Sequence, residues 1–236
     1  MTVDWYVTPE LVDYESACNW QDAQVDRIHQ GKSSECVWLL EHPSLYTAGV
    51  SAKDSDLINA NDLPVYHVGR GGRYTYHGPG QRVIYIMLDL RKRGKDLHHF
   101  LRSIEQWVIL VLESLGITAE TREYKTGVWV KHSAYEGNEA KIASIGIRVR
   151  RWVTFHGIAI NVAPDLERFS GIVPCGLAGA QTTSIKKVLG SAIVSMKTVD
   201  QALLDNFPKV FGADDITMCL SNASTMLQEK IQKELA

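Results

Sequence analysis

No stretch of this chain approaches the roughly 18 consecutive apolar residues that a membrane-spanning helix requires. Residues 1–15, MTVDWYVTPELVDYE, are acidic, with neither the apolar h-region of a secretory signal nor the arginines of a transit peptide. Cysteine is scarce: Cys18, Cys36, Cys175 and Cys219 are widely spread and form no C-x-x-C pair. That spacing argues against structural disulfides and a zinc ribbon, and the expectation is a cytoplasmic protein with reduced thiols. Neither sign of charge dominates, and a net charge of -2 argues against a general nucleic-acid binder. There is no G-x-x-x-x-G-K-[ST] run. The G-x-G that starts at Gly69 has Tyr74 where a dinucleotide fingerprint needs its third glycine, and it leads into His77-Gly78-Pro79-Gly80 rather than a helix. A phosphate cradle is therefore disfavoured.

What the chain does have is the makeup of a globular protein, 45% hydrophobic and 22% charged over 236 residues. No repeat, low-complexity tract or linker interrupts it. The simplest account is one α/β domain spanning residues 1–236, with a core at about 35–190 and a helical C-terminal segment from about 195. Asp4 to Val7 is a short apolar piece ended by Pro9, and Tyr14 to Gln30 is a helix stopped by Gly31. Cys36 to Glu41 and Pro64 to Val68 are short strands, and Arg82 to Leu90 is a longer one. Asp96 caps a helix over Leu97 to Leu115, with Gly116 after it; its apolar stripe marks it as scaffold. Gly127 to Lys131 is a strand. Lys141 to Arg151 and Trp152 to Val162 follow as two strands able to form a hairpin, and helices are expected near 199–210 and 221–235.

The stretch Gly69 to Gln81, GRGGRYTYHGPGQ, packs five glycines and a proline among Arg70, Arg73, Tyr74, Thr75, Tyr76 and His77. Glycine permits positive φ and close approach of another group to the backbone. Ordering so flexible a loop costs conformational entropy, so a role beyond a turn is expected and regular secondary structure is not. Cys175 differs from the other cysteines because Pro174 and Gly176 flank it in a segment of small residues. Cys18 and Cys36 lie in apolar patterns, where burial is the default. A nucleophilic thiol needs a base, a cation or a helix N-terminus beside it, and the candidates are His77, His156 and Lys141. Lys141 opens KIASIG, whose small residues leave room for an apolar ligand.

The runs RGGRYTYHGPGQ at Arg70, KIASIGIR at Lys141, FHGIAINV at Phe155 and GIVPCG at Gly171 resemble, in order, the motifs of the lipoyl(octanoyl) transferases. EHPSLYTAG at Glu41 and GVWV at Gly127 extend the resemblance over about residues 35–190. It implies a mixed sheet flanked by helices, like the catalytic domain of biotin and lipoate protein ligases. It also implies an acyltransferase that needs no ATP and no cofactor. The octanoyl group would pass from octanoyl-acyl carrier protein to a lysine of a lipoyl domain, in a 2-oxoacid dehydrogenase or the glycine cleavage H protein. The family's acyl-carrying cysteine matches Cys175 and its thiolate-favouring lysine matches Lys141. Its acyl pocket matches Arg70, Gly71, Gly72, Arg73, Tyr74, Thr75, Tyr76 and His77, then Ser144, Ile145 and Gly146, then Gly157, Ile158 and Ala159.

Three other activities share the features so far. An ATP-dependent lipoate or biotin ligase would not need Cys175; an amidotransferase between lipoyl domains would differ in its donor; a non-catalytic acyl-binding protein would be indifferent to Cys175. Two basic clusters, Arg91 to Lys95 and Arg148 to Arg151, are expected either as solvated turns or as steering patches for acidic carrier proteins.

Overall fold

The computed structural model describes residues 2–60, 62–123, 125–131, 139–173, 181–190, 194–212 and 215–220. Cys175, with Pro174 and Gly176, lies outside the described residues, as does the helix expected at 221–235.

The central strands are buried on both faces, and the sequence shows why. In β2 (Glu35–Glu41), Val37 and Leu39 enter one core cluster while Cys36, Trp38 and Leu40 enter another. In β6 (Gln81–Met87), Ile84 and Ile86 face the first cluster and Val83, Tyr85 and Met87 the second. A strand apolar on both faces has to be covered on both, and helices do the covering. On one face lie α2 (Leu97–Ser114) and α4 (Met196–Phe211), where Trp107 and Phe207 meet edge to face at 5.2 Å between centroids and Trp5 joins both. On the other lies α1 (Tyr14–His29), whose Ala17, Val25 and Ile28 pack on Trp38 and its neighbours.

Around this centre the large sheet runs in the order β12-β1-β2-β6-β10-β9-β8-β7, from β1 (Thr2–Leu11) and β12 (Asp215–Leu220) to β7 (Glu120–Arg122), β8 (Lys125–Lys131), β9 (Glu139–Arg150) and β10 (Val153–Asn161). The β1–β12 and β1–β2 pairs are parallel; the remaining pairs along this path are antiparallel. The short β11 (Gln181–Thr182) adds itself parallel to β9. A second sheet, β4-β3-β5, is formed by β3 (Leu45–Ala48), β4 (Val65–His67) and β5 (Tyr74–His77). A short helix α3 (Ile185–Leu189) precedes α4. The fold is thus the expected mixed sheet flanked by helices.

The expected caps are in place: Asp96 accepts from His99 N at 2.9 Å, and Gly116 has φ +81°. Several boundaries differ for identifiable reasons. Strand β1 runs past Pro9 because its register with β2 shifts between Val7 and Leu11, an irregularity that absorbs a residue with no N–H to give. The glycine stretch is not wholly irregular. Its Tyr-Thr-Tyr-His core pairs antiparallel with β3 as β5, so β-prone side chains decide the middle and glycines only the flanks. Strand β6 ends at Met87, and Leu90–Lys92 is a 3-10 turn. The β9–β10 hairpin closes on Arg151 and Trp152, both at positive φ.

The two basic clusters meet at this hairpin, where Leu90 N donates to Trp152 O at 2.7 Å. Much of their charge is already paired. Arg93 holds the buried Glu35 carboxylate through two contacts, at 2.5 and 2.8 Å, Arg91 holds Asp89, and Arg150 reaches Asp22 and Asp26. Arg91 and Arg93 are parts of the fold before they are steering charges.

Candidate active site

The pocket floor is built by register. Ala159 of β10 stands opposite Ser144 of β9 on one side and Val83 of β6 on the other; two residues along, Gly157 stands opposite Gly146 and Tyr85. Side chains two apart share a face, so these two rungs present Ser144, Gly146, Gly157 and Ala159 as a shallow trough on the α1 side of the sheet. The alternate residues Ile145 and Ile158 touch the lining, but their side chains belong to the core on the α2 side. Gly157 permits the closeness of β10 to β6, since a Cβ there would lie 1.8 Å from Ile84 O. Gly146 makes room for Arg70, whose Cδ would be 2.9 Å from an added Cβ.

The wall opposite the trough is the glycine stretch. Arg70, Gly72, Arg73, Tyr74, Thr75 and His77 line the cavity. Arg70 is buried, and its guanidinium donates to Thr47 O at 2.7 Å, Thr47 Oγ1 at 2.6 Å and Gly71 O at 2.9 Å. Arg73 lies 3.3 Å from both oxygens of the buried Asp56. Two of the expected pocket residues are elsewhere. Tyr76 turns to the other side of β5, where its hydroxyl meets Ser44 Oγ at 3.0 Å and its ring meets Phe169. Gly71 ties the loop to β9 by donating to Ile147 O at 3.1 Å.

Three lining residues lie outside the sequence expectations. Val83 and Tyr85 come from β6, and Tyr14 from the first turn of α1, where it stacks on His77 at 6.3 Å. The alternation of RVIYIM hints at the β6 pair; only packing brings Tyr14 in. A further residue, His42, sits behind Tyr85. Its Nδ1 donates to Val12 O at 2.6 Å, so its Nε2, 2.7 Å from the Tyr85 hydroxyl, accepts.

Burial, with help from neighbouring Arg70, pushes His77 and His156 down to about 3, and burial takes His42 down to about 4. All three imidazoles are neutral at physiological pH. Neither His77 nor His156 can serve there as a cation beside a thiol. Cys36 is fully buried and its thiol is pushed up by desolvation; Cys18 is pushed up to about 11 for the same reason. Both are poor nucleophiles, as expected.

Lys141 does not line the cavity; it lies further along β9, toward β11. Its orientation depends on a bulge. Val128 pairs with Ala143 and Trp129 with Lys141, so one step on β8 matches two on β9. Ile142 and Ala143 consequently both enter the α2-side core. Lys141 and Trp129 are left on the other face, the one that carries Ser144 and Gly146. There Lys141 is only 6% exposed, its Nζ donates to Thr126 O at 2.7 Å and it stands 5.5 Å from the Trp129 ring centroid. Thr182 of β11 pairs with Lys141, and Thr183 N donates to Lys141 O at 2.9 Å. Behind this, Gln81 Oε1 lies 2.7 Å from His77 Nδ1, Gln81 Nε2 donates to Asn161 Oδ1 at 2.9 Å, and Asn161 Nδ2 donates to Thr183 O at 3.0 Å. These bonds join the glycine stretch to the chain beyond residue 180.

A trough of small residues on a mixed α/β sheet, walled by a glycine-rich loop, is the candidate site. Comparison with known proteins gives the family. The lipoyl protein ligase A/B catalytic domain matches residues 13–208. An octanoyltransferase of Chelativorans sp. (strain BNC1) is 50% identical over 217 residues, 89% of this chain and 87% of that one. An octanoyltransferase of Rhodospirillum rubrum is 48% identical over 210 residues, 89% of this chain and 95% of that one. Among solved structures, a lipoate-protein ligase A bound with ATP superposes with a TM-score of 0.67 at 16% identity, covering 98% of this chain and 95% of that one. A bi-partite lipoate protein ligase from Thermoplasma acidophilum gives 0.67 at 16% identity, covering 99% and 93%. The chain belongs to the lipoyl protein ligase A/B catalytic domain family, on its octanoyltransferase branch, and is an acyltransferase.

Proposed function

We propose that the chain moves an octanoyl group from octanoyl-acyl carrier protein to a lysine of a lipoyl domain through a thioester on Cys175. In the first half-reaction the Cys175 thiolate attacks the donor carbonyl, the pantetheine thiolate leaves, and Lys141 supplies the proton it takes up. In the second, the acceptor amine attacks the acyl-enzyme, an amide forms, and the amine's proton returns to Lys141 as Cys175 leaves as thiolate. Thioester exchange is near balance and thioester to amide is downhill, so neither ATP nor a cofactor enters. The trough of Ser144, Gly146, Gly157 and Ala159 takes the alkyl chain.

The observation that carries this reading is the environment of Lys141. It is a buried lysine on the pocket face of β9, in register with the strand by which the chain leaves residues 174–180. With His77 and His156 held neutral, it is the candidate of the three that can oppose a thiolate.

The test is intact-protein mass after mixing with octanoyl-acyl carrier protein in the absence of ATP, followed by peptide mapping. The expected result is an octanoyl adduct on Cys175 that disappears when a lipoyl domain is added. Labelling of the lipoyl domain only with ATP would make the chain a ligase. Adduct formation only from an octanoylated lipoyl domain would make it an amidotransferase. Neither adduct nor labelling would leave an acyl-binding protein.

A further inference from the structure

Helix α2 reads from the sequence as scaffold, yet one of its polar residues reaches toward the site. Glu105 Oε1 accepts the backbone N–H of Gly127 at 3.0 Å. The carbonyl of the same peptide unit, Thr126 O, accepts from Lys141 Nζ at 2.7 Å. In a trans peptide the N–H and C=O point in opposite directions. This unit is turned across the sheet, with its N–H toward α2 and its C=O toward the pocket face. Gly127 permits the turn: its φ is +122°, and a Cβ there would lie 2.4 Å from Lys141 Cε. A carboxylate on one face and an ammonium on the other thus share one polarisable peptide. A charged acceptor on the N–H makes the carbonyl a stronger acceptor in turn.

We infer that Glu105 is a positioning residue for the transfer reaction, which through the Thr126–Gly127 peptide holds the Lys141 amino group in the place that the thiol requires. The inference rests on the proposed role of Lys141. Among the described residues, the other charged groups of β7, β8 and β9 at this end of the sheet are engaged with one another. Lys125 of β8 stands 5.4 Å from the Trp129 ring and pairs with Glu139 of β9, which also pairs with Arg122 of β7; β11 brings only Gln181 and Thr182. Among the described residues, no cation forms an ion pair with Glu105. Among the described residues, the one hydrogen bond of its side chain is to Gly127.

The experiment compares Glu105→Gln, Glu105→Ala and Lys141→Ala with the unaltered enzyme. For each, kcat/KM for an octanoyl thioester is followed against pH, with the rate of Cys175 alkylation and the melting temperature alongside. Glu105→Gln keeps an acceptor and the side-chain volume but removes the charge. It is expected to lower the rate of Cys175 acylation about fivefold at neutral pH and to alter the pH profile of Cys175 alkylation, with KM and melting temperature nearly unchanged. Glu105→Ala, which leaves the Gly127 N–H without its partner, is expected to lower the rate further. Lys141→Ala is expected to slow Cys175 acylation and to alter the same profile. If Lys141→Ala alters the profile and Glu105→Gln does not, Glu105 is structural and the inference is overturned while the dyad stands. If Lys141→Ala itself leaves both profiles as they were, the dyad fails and the inference fails with it.

Discussion

Gly157 of β10 passes so close to Ile84 of β6 that no side chain fits between the strands. An added Cβ would sit 1.8 Å from the Ile84 carbonyl oxygen, a backbone atom that cannot step aside. Gly157→Ala is therefore expected to destabilise the protein by about 3 kcal/mol or more, read as a fall in the urea midpoint. Gly146→Ala meets the Arg70 side chain instead, at 2.9 Å from Cδ, so its cost is expected near 1 kcal/mol. Its main effect should be on the trough. Competition between butanoyl and octanoyl donors should move toward the shorter chain, and an unchanged ratio would place the alkyl chain elsewhere.

Buried Arg82 and partly buried Asp200 pair across β6 and α4. Arg82 Nη2 donates to Asp200 Oδ2 at 3.0 Å, and Nε stands 2.8 Å from Oδ1. Burial raises the Asp200 carboxyl above its ordinary range while Arg82 opposes the rise. Removing one partner leaves the other charge buried and alone, so Asp200→Ala is expected to cost about 3–5 kcal/mol. Replacing both, as Arg82→Met with Asp200→Leu, should recover most of that loss in a chemical-denaturation series. No recovery would mean that the pair supplies more than charge balance.

The three buried histidines predict acid sensitivity of a definite sign. His42, His77 and His156 titrate at about 4, 3 and 3 in the fold, against about 6.5 in an unfolded chain. Between these values the unfolded state binds the more protons. Their contribution is present in full above about pH 6.5 and is lost as pH falls toward 3–4. Each can add a slope of up to about 1.4 kcal/mol per pH unit. His77→Gln should flatten the slope between pH 6 and 4, measured as melting temperature against pH. An unchanged slope would assign the acid sensitivity to other groups.

Arg93 is expected to matter for folding before it matters for docking. Arg93→Glu would set a carboxylate against the buried Glu35, and a loss of about 3–5 kcal/mol is expected. Exposed Lys92 and Arg151 offer the cleaner test of carrier steering. Reversal to Glu should leave stability within about 0.5 kcal/mol. If steering operates there, KM should rise for octanoyl-acyl carrier protein but not for a small octanoyl thioester. Equal effects on both donors would reject steering by this surface.

Helix α2 was legible from its cap at Asp96 to Gly116 because capping and 3.6-residue periodicity are local. The β9–β10 hairpin was legible for a similar reason, since alternation is local as well. Strand β5 was not, because glycine on both sides masks a segment whose pairing partner, β3, lies 26 or more residues earlier. Strand β12 was missed because its pairing with β1 spans nearly the whole chain. Tyr14 reached the pocket unannounced, since nothing in the first turn of a helix tells which groove that turn will meet.

Residue chemistry was present in the sequence itself: a glycine-rich wall, small residues at Ser144, Gly146, Gly157 and Ala159, a lysine before them, and a lone cysteine between proline and glycine. Which way those residues face was decided by tertiary structure. Strict alternation along β9 would set Lys141 on the opposite face from Ser144, in the core with Ile145. The bulge opposite Val128 and Trp129 sends Ile142 and Ala143 together into that core and leaves Lys141 on the pocket face. A bulge is a mismatch between two strands, so it is a property of the pair and is written in neither strand alone.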